Sequence, residues 1–305
     1  MFRLDAATVL LQWAVGGLAF LWVTTRHREV GLGYGWLLRG VNIVLAGGAL
    51  AAGLRYGTVP VREVSSALVV LAALVAFAVS IVRRRTGVAG RQQDHDRRSA
   101  RVAAMTGIDR DLSDIAAPAG PGFDALDAAA SGTGAARREF PPLLDVVAPL
   151  VGLVGLVAAG VDAAASPGGR LLAVARIVAG AAFLGAVTDA MLLGHWYLVQ
   201  PGLPRRLLLE QVRWLAIVWP VEVALLLVPT GMISVLDGRI DDGWNGTLGW
   251  FWVACAVTTI ALCAVTRAAL RERQYSAVMA ATGLLYLAIL TAFGTDLVAR
   301  AVLAA

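Results

Sequence analysis

The chain contains no lysine; all 26 of its basic residues are arginine. That absence excludes Schiff-base and lysine-nucleophile chemistry, and it leaves every basic side chain charged at any working pH. Cysteine is nearly missing as well. Cys255 and Cys263 lie in one apolar run, and at helical rise they stand roughly 12 Å apart, too far for a mutual disulfide. They read as inert packing residues. The three histidines, His27, His95 and His195, show neither the close spacing nor the cysteine partners of a zinc site. Charge of either sign is scarce, at 15% of residues, where a soluble domain carries about 25%.

What fills the space is apolar. Hydrophobic residues make up 58% of the chain and the mean hydropathy is +0.73. They gather in runs near 5–24, 36–54, 64–82, 143–161, 171–194, 212–232, 247–267 and 275–300. A run of about twenty residues wound as a helix matches the hydrocarbon thickness of a bilayer. With no water there to satisfy the backbone, a helix is the form such runs must take. The expected fold is therefore all-α: a polytopic membrane bundle of eight helices, split three and five. The first run ends in Thr24-Thr25-Arg26-His27-Arg28, without a small-residue cleavage site, so it reads as a membrane helix and not as a signal peptide.

Residues 1–85 and 143–305 form the two membrane parts in this reading, and 86–142 joins them. The joining segment holds Arg91-Gln92-Gln93-Asp94-His95-Asp96-Arg97-Arg98 and then stretches of Gly, Pro, Ala, Ser and Asp. Too little of it is large and apolar to bury a core, so it reads as a cytoplasmic linker with at most a short helix near 98–112. Arginine placement orients the bundle. With the N-terminus outside, eighteen arginines fall on inner segments and six on outer ones, as the positive-inside rule requires of a plasma (inner) membrane protein with both termini outward. The net charge of +5 needs no nucleic-acid partner. The bilayer is the partner that composition implies; other membrane subunits are compatible with it.

Ionisable groups at membrane depth are rare and face the bundle interior, so they are the candidate site residues. Asp189 shares a helix face with small residues such as Ala182 and Gly185, where another helix can approach. Its depth matches that of Arg39, which makes an Arg39–Asp189 bridge between helices 2 and 5 the leading structural expectation. A proton- or solute-binding role and a water-exposed carboxylate are the alternatives. Glu222 is expected near the midplane of helix 6, in the context Trp219-Pro220-Val221-Glu222. Pro220 releases the carbonyl of Ala216 and is the candidate hinge. A buried acid beside a hinge suits an ion-coupled transporter, and it equally suits a neutral acid hydrogen-bonded to a neighbouring helix. Arg176 is expected to anchor helix 5, snorkelling outward or pairing with Asp162 or Asp296.

The run Gly194-His195-Trp196-Tyr197-Leu198-Val199-Gln200-Pro201 falls where helix 5 reaches the cytoplasmic surface. Its aromatics suit an interfacial belt, while His195, Trp196 and Tyr197 are candidates for a quinone, haem or lipid-headgroup contact. His27 at similar depth is a candidate second haem ligand. The outer loop from Asp237 to Gly246 is acidic, but its spacing does not match a calcium loop.

No complete catalytic, nucleotide, metal or transport signature is present, enzyme activity is not expected, and no motif specifies a cofactor. The paired aspartates of a magnesium-dependent lipid transferase are missing. Three functional readings follow. The first is a proton- or ion-coupled small-solute carrier or ion-conducting bundle using Glu222, Asp189 and Arg39. The second is a membrane subunit of an electron-transfer complex contacting quinone or haem through His195. The third is a scaffold whose buried charges are all structural.

Overall fold

A computed structural model describes residues 5–83, 140–164, 166–200, 202–228, 231–272 and 274–304. The expected linker at 86–142, with its short helix near 98–112 and His95, lies almost wholly outside the described residues. Among those described there are eight long helices and no strand. In chain order they are α1 (Ala6–Thr25), α2 (Leu32–Tyr56), α3 (Pro60–Val82), α4 (Leu144–Asp162), α5 (Arg170–Val199) and α6 (Arg206–Leu227). A one-turn α7 (Met232–Leu236) precedes α8 (Thr247–Ala269) and α9 (Tyr275–Ala304). The protein is an all-α polytopic membrane bundle.

Local chemistry sets the helix ends. Asp5 caps α1 by accepting from the Ala7 amide at 3.1 Å, which satisfies one of the orphan donors of the first turn. Proline stands in the first turn of α3 at Pro60, where a missing N–H costs nothing. Gly246, at φ +80°, turns the chain into α8. Just ahead of it, Asp242 accepts backbone N–H bonds from Trp244, Gly246, Leu248 and Gly249 at 2.8 to 3.2 Å. Desolvation opposes ionisation of this carboxyl, but the four amides hold its pKa below the usual value. The aspartate-rich loop is thus a self-capped turn.

Seven of the long helices are apolar enough to cross a membrane. The eighth, α6, falls short because it carries Arg206, Glu210, Arg213 and Glu222. It nevertheless runs the full height of the bundle. Its first turns meet the last turn of α1 through an Arg26–Glu210 ion pair, and its last carbonyls meet Arg176 near the start of α5. The sequence placed this helix at 212–232. It begins six residues earlier, because Arg206 and Glu210 are helix-compatible polar residues that an apolar window leaves out. Glu222 therefore stands five residues from the end of α6. It lies in the last third of the helix, not at its middle.

The helices alternate in direction, so each end of the bundle gathers the same termini. One end, here the basic end, carries Arg26, Arg28, Arg205 and Arg206. α1 and α5 are the most enclosed spans, with two thirds of their apolar windows buried. They cross at backbone contact: a Cβ on Gly16 would sit 1.8 Å from the Ala181 carbonyl oxygen, and one on Gly185 would sit 2.2 Å from the Gly16 carbonyl carbon. The expectation that Gly185 marks a close helix approach is met by α1. Small residues allow this because, in lipid, packing and not a hydrophobic drive brings helices together.

Two predictions follow from this architecture. Gly16→Val forces α1 and α5 apart and abolishes the monodisperse folded peak in detergent size-exclusion chromatography, whereas Gly47→Ala, with open space around it, leaves that peak unchanged. Because the Asp242 pKa is depressed, its contribution is complete above the ordinary carboxylate value and is lost as pH falls through the lowered one. Hydrogen exchange at the Trp244, Gly246, Leu248 and Gly249 amides should stay slow at neutral pH and accelerate only in strong acid.

Candidate functional site

Three buried polar groups divide the expected site residues among them. At the basic end Arg39 pairs with Asp145, not with Asp189. Its Nε and Nη2 each donate to one Asp145 oxygen at 2.7 Å, in the bidentate geometry that favours arginine. The Phe140 ring covers the guanidinium at 4.4 Å, and Thr25 also donates to Asp145 at 3.1 Å. The expected Arg39–Asp189 bridge is therefore replaced. Asp145 opens the first turn of α4, just inside the apolar run at 143–161, where nothing in the spacing links it to Arg39.

Asp189 is held by hydroxyl groups. It is wholly buried and accepts from Thr24 of α1 at 2.7 Å and from Tyr34 of α2 at 2.8 Å. Gln211 of α6 donates in turn to the Thr24 oxygen at 2.7 Å. Three helices thus meet on one carboxyl, with α6 joined to it through Thr24, and each of its oxygens is taken by a neutral donor. The water-exposed alternative is removed.

The Gly194–Pro201 run continues α5 through Val199, and it is not a junction beyond the helix. Trp196 lies 5.8 Å from the Tyr34 ring and donates to Gln200 at 3.0 Å. Gln200 accepts from the Gly31 amide at 2.9 Å. Tyr197 donates to the Pro204 carbonyl at 2.7 Å, and its own carbonyl accepts from Tyr275 at 2.9 Å. These bonds tie three loops together at the basic end. His195 is exposed and contacts the Tyr286 hydroxyl at 3.2 Å, whereas His27 contacts Glu210 at 2.7 Å. The two imidazoles have separate partners on different helices.

The third group lies toward the opposite end, about two turns in from the termini of α1, α5 and α6. It comprises Gln12 on α1, Arg176 on α5, Glu222 on α6, and Asp296 and Arg300 on α9. None is more than 6% exposed. Arg300 Nε donates to both Asp296 oxygens, at 2.8 and 2.9 Å. Gly180 makes room for the assembly. A Cβ there would fall 2.6 Å from Arg300 Nη2, 2.9 Å from Asp296 Oδ1 and 2.9 Å from Gln12 Nε2. Gln12 uses that amide nitrogen on the Ile177 carbonyl at 2.6 Å.

Arg176 is buried and does not snorkel. It donates to the Leu225 and Val228 carbonyls at 2.7 and 2.8 Å, capping the negative end of α6 with a cation. Glu222 differs from the other buried acids. It faces Asp296, with Arg300 and Arg176 as the nearby cations, yet among the described residues no N–H or O–H reaches either of its oxygens. The Gln12 carbonyl oxygen is likewise buried without a donor. Pro220, two residues before Glu222, lies within a continuous α6, and Trp219 beside it donates to the Ala256 carbonyl of α8 at 3.0 Å.

Sequence reasoning found Glu222, Pro220 and Arg176 but did not assemble them with Gln12 and Arg300. It also missed a tie among α1, α2 and α3, where Arg62 contacts Asp5, Thr8 at 3.0 Å, the Gly57 carbonyl at 2.7 Å and Glu63 at 2.7 Å. Gln12 and Arg300 carried a usable signal, being polar residues on otherwise apolar helices, but only the fold shows that they meet. Fold and site together define a polytopic helical membrane protein with a charged centre enclosed by four helices. Comparison with protein-family models, curated proteins and solved structures gives no match to this chain.

The Arg39–Asp145 pair yields a stability prediction. Asp145→Asn leaves a buried guanidinium without its counter-charge and should destabilise the protein by about 3–5 kcal/mol, read as a lowered thermal unfolding midpoint in detergent. The double change Arg39→Met with Asp145→Leu should recover most of the loss, since an apolar pair of similar volume replaces a buried ion pair at little cost.

Proposed function

We propose that this chain is a membrane carrier or ion-conducting protein whose working site is the enclosed group of Gln12, Arg176, Glu222, Asp296 and Arg300. One observation carries the reading: Glu222 is completely buried, and no described donor reaches its carboxyl oxygens. A scaffold has every buried charge satisfied by its neighbours. Asp189 has both oxygens bonded and Arg39 has its charge matched by Asp145 with only Nη1 left over, whereas neither oxygen of Glu222 has a described partner. Leaving a carboxyl without donors at membrane depth is expensive, and the expense is understandable where an ion or solute completes the site.

The surroundings support movement of α6. It is the least apolar of the long helices, and Pro220 frees the Ala216 carbonyl from the helical ladder just before Glu222. Bending there would swing Glu222 relative to α5 and α9, while Trp219 and Arg176 tie the helix on either side of the bend. In this reading the protein lies in the plasma (inner) membrane with both termini outward and the 86–142 segment in the cytoplasm. Asp189 and Arg39 hold the basic end together and take no part in ion handling.

The test is ion flux in liposomes containing the purified full-length chain, followed with an internal pH-sensitive dye under an imposed potential. Glu222→Gln should reduce flux to the level of empty liposomes, while Asp189→Asn, corrected for folded protein incorporated, should not. Equal flux from the native chain and Glu222→Gln would sink the carrier reading.

A further inference from the structure

Asp189 is completely buried where no opposite charge meets it. Among the described residues it makes no ion pair; its carboxyl contacts the hydroxyls of Thr24 at 2.7 Å and Tyr34 at 2.8 Å. Arg39, the cation expected beside it, is bound to Asp145. An ionised carboxylate at membrane depth with no cation is expensive, and two neutral hydroxyls offset only part of that.

The hydrogens around Thr24 show how the expense is avoided. Its oxygen has three polar neighbours: Asp189 Oδ2 at 2.7 Å, the Phe20 carbonyl at 3.2 Å and Gln211 Nε2 at 2.7 Å. Gln211 Nε2 also reaches the Phe20 carbonyl, at 3.4 Å, which orients the amide with its nitrogen toward both. A threonine hydroxyl has one hydrogen and two lone pairs. With Asp189 ionised, its carboxylate and the Phe20 carbonyl compete for that single hydrogen. With a proton on Oδ2, Asp189 donates to Thr24, Thr24 donates to Phe20, and Gln211 donates to Thr24. All three contacts are then hydrogen bonds at once. Oδ1 accepts from Tyr34 in either form.

We propose that Asp189 binds an exchangeable proton on Oδ2, and that reversal of the Thr24 hydroxyl lets the proton come and go while both carboxyl oxygens stay bonded. Uptake forms an O–H bond on Asp189 and turns the Thr24 hydrogen to the Phe20 carbonyl. Release passes the proton to water and turns that hydrogen back; no electrons move. Gln211 Oε1, beside Thr24, is buried with no described donor and is an acceptor for a water that brings the proton. The site lies roughly 20 Å along α5 from Arg176. Its proton is held in place, and the proposal does not rest on the carrier reading.

Tyr34 of α2 is the one titratable group among the described residues in hydrogen-bonding contact with the carboxyl. The charges of the neighbouring elements have partners of their own. Arg39 of α2 pairs with Asp145 of α4, while Arg26 and His27, following α1, meet Glu210 of α6. Arg213 of α6 is exposed. On α5, Tyr197 donates to the Pro204 carbonyl and His195 contacts Tyr286 of α9. Asp296 and Arg300 of α9 pair toward the opposite end.

The experiment is infrared difference spectroscopy of the full-length chain in lipid, titrated across the pH range in which it stays folded. A protonated carboxylic acid has a C=O stretch that a carboxylate lacks, and a hydrogen bond to that C=O lowers its frequency. The native chain should show an acid band that Asp189→Asn lacks and that disappears reversibly in alkali. Tyr34→Phe, which removes the donor to Oδ1, should move this band to higher frequency. Asp189→Asn should unfold within about 2 °C of the native chain, because its amide donates to Thr24 and accepts from Tyr34 as the neutral acid does.

No acid band assignable to Asp189 at any pH would overturn the bound proton, as would a band lost only when the chain unfolds. A band that Tyr34→Phe leaves in place would remove the carboxyl from this hydroxyl cradle. A large loss of stability in Asp189→Asn would show that the cradle holds a charge, and would likewise overturn the proposal.

Discussion

The backbone contact between α1 and α5 sets the register of the buried polar groups on either side of it. With Gly16 and Gly185 pressed together, the two helices form an inseparable central pair, and the residues above and below the crossing are brought into register. Toward the basic end this aligns Thr24 with Asp189; toward the other end it aligns Gln12 with the Ile177 carbonyl and with Gly180. α2, α6 and α9 dock on this axis and bring Tyr34, Gln211, Asp296 and Arg300 against it.

Around the axis, buried charge is handled in three ways. Arg39 and Asp145 neutralise each other bidentately. Asp189 is surrounded by neutral hydroxyl donors. Arg176 is matched to the carbonyls at a helix end. In each the charge itself is matched, although Nη1 of Arg39 has no described partner, and in a low-dielectric interior such a polar contact is costly to break. Glu222 is the exception. The contrast matters more than burial alone, since among the described residues the other buried acids accept hydrogen bonds and neither oxygen of Glu222 does.

The fold was largely legible in the sequence. Apolar runs of membrane length recur as helices; α5 runs five residues past its run, and α6 is shifted most, starting six residues early and ending five early, because its first two turns are amphipathic. That shift had a chemical consequence: it moved Glu222 from the expected middle of the helix to its last third, beside Asp296. The candidate residues themselves were visible as charges in apolar surroundings. Their pairing was not, since a partner such as Asp145 at a run's edge has no periodicity that links it to Arg39 more than one hundred residues away. Depth along a helix can be estimated from counting; which helices are neighbours cannot.

Phe140 is the first described residue after the 84–139 segment, and its ring rests on the Arg39 guanidinium. The described chain therefore resumes at an ion pair, with the ring covering the Arg39–Asp145 contact. Uncovering the pair would admit water to it and weaken the attraction between its charges.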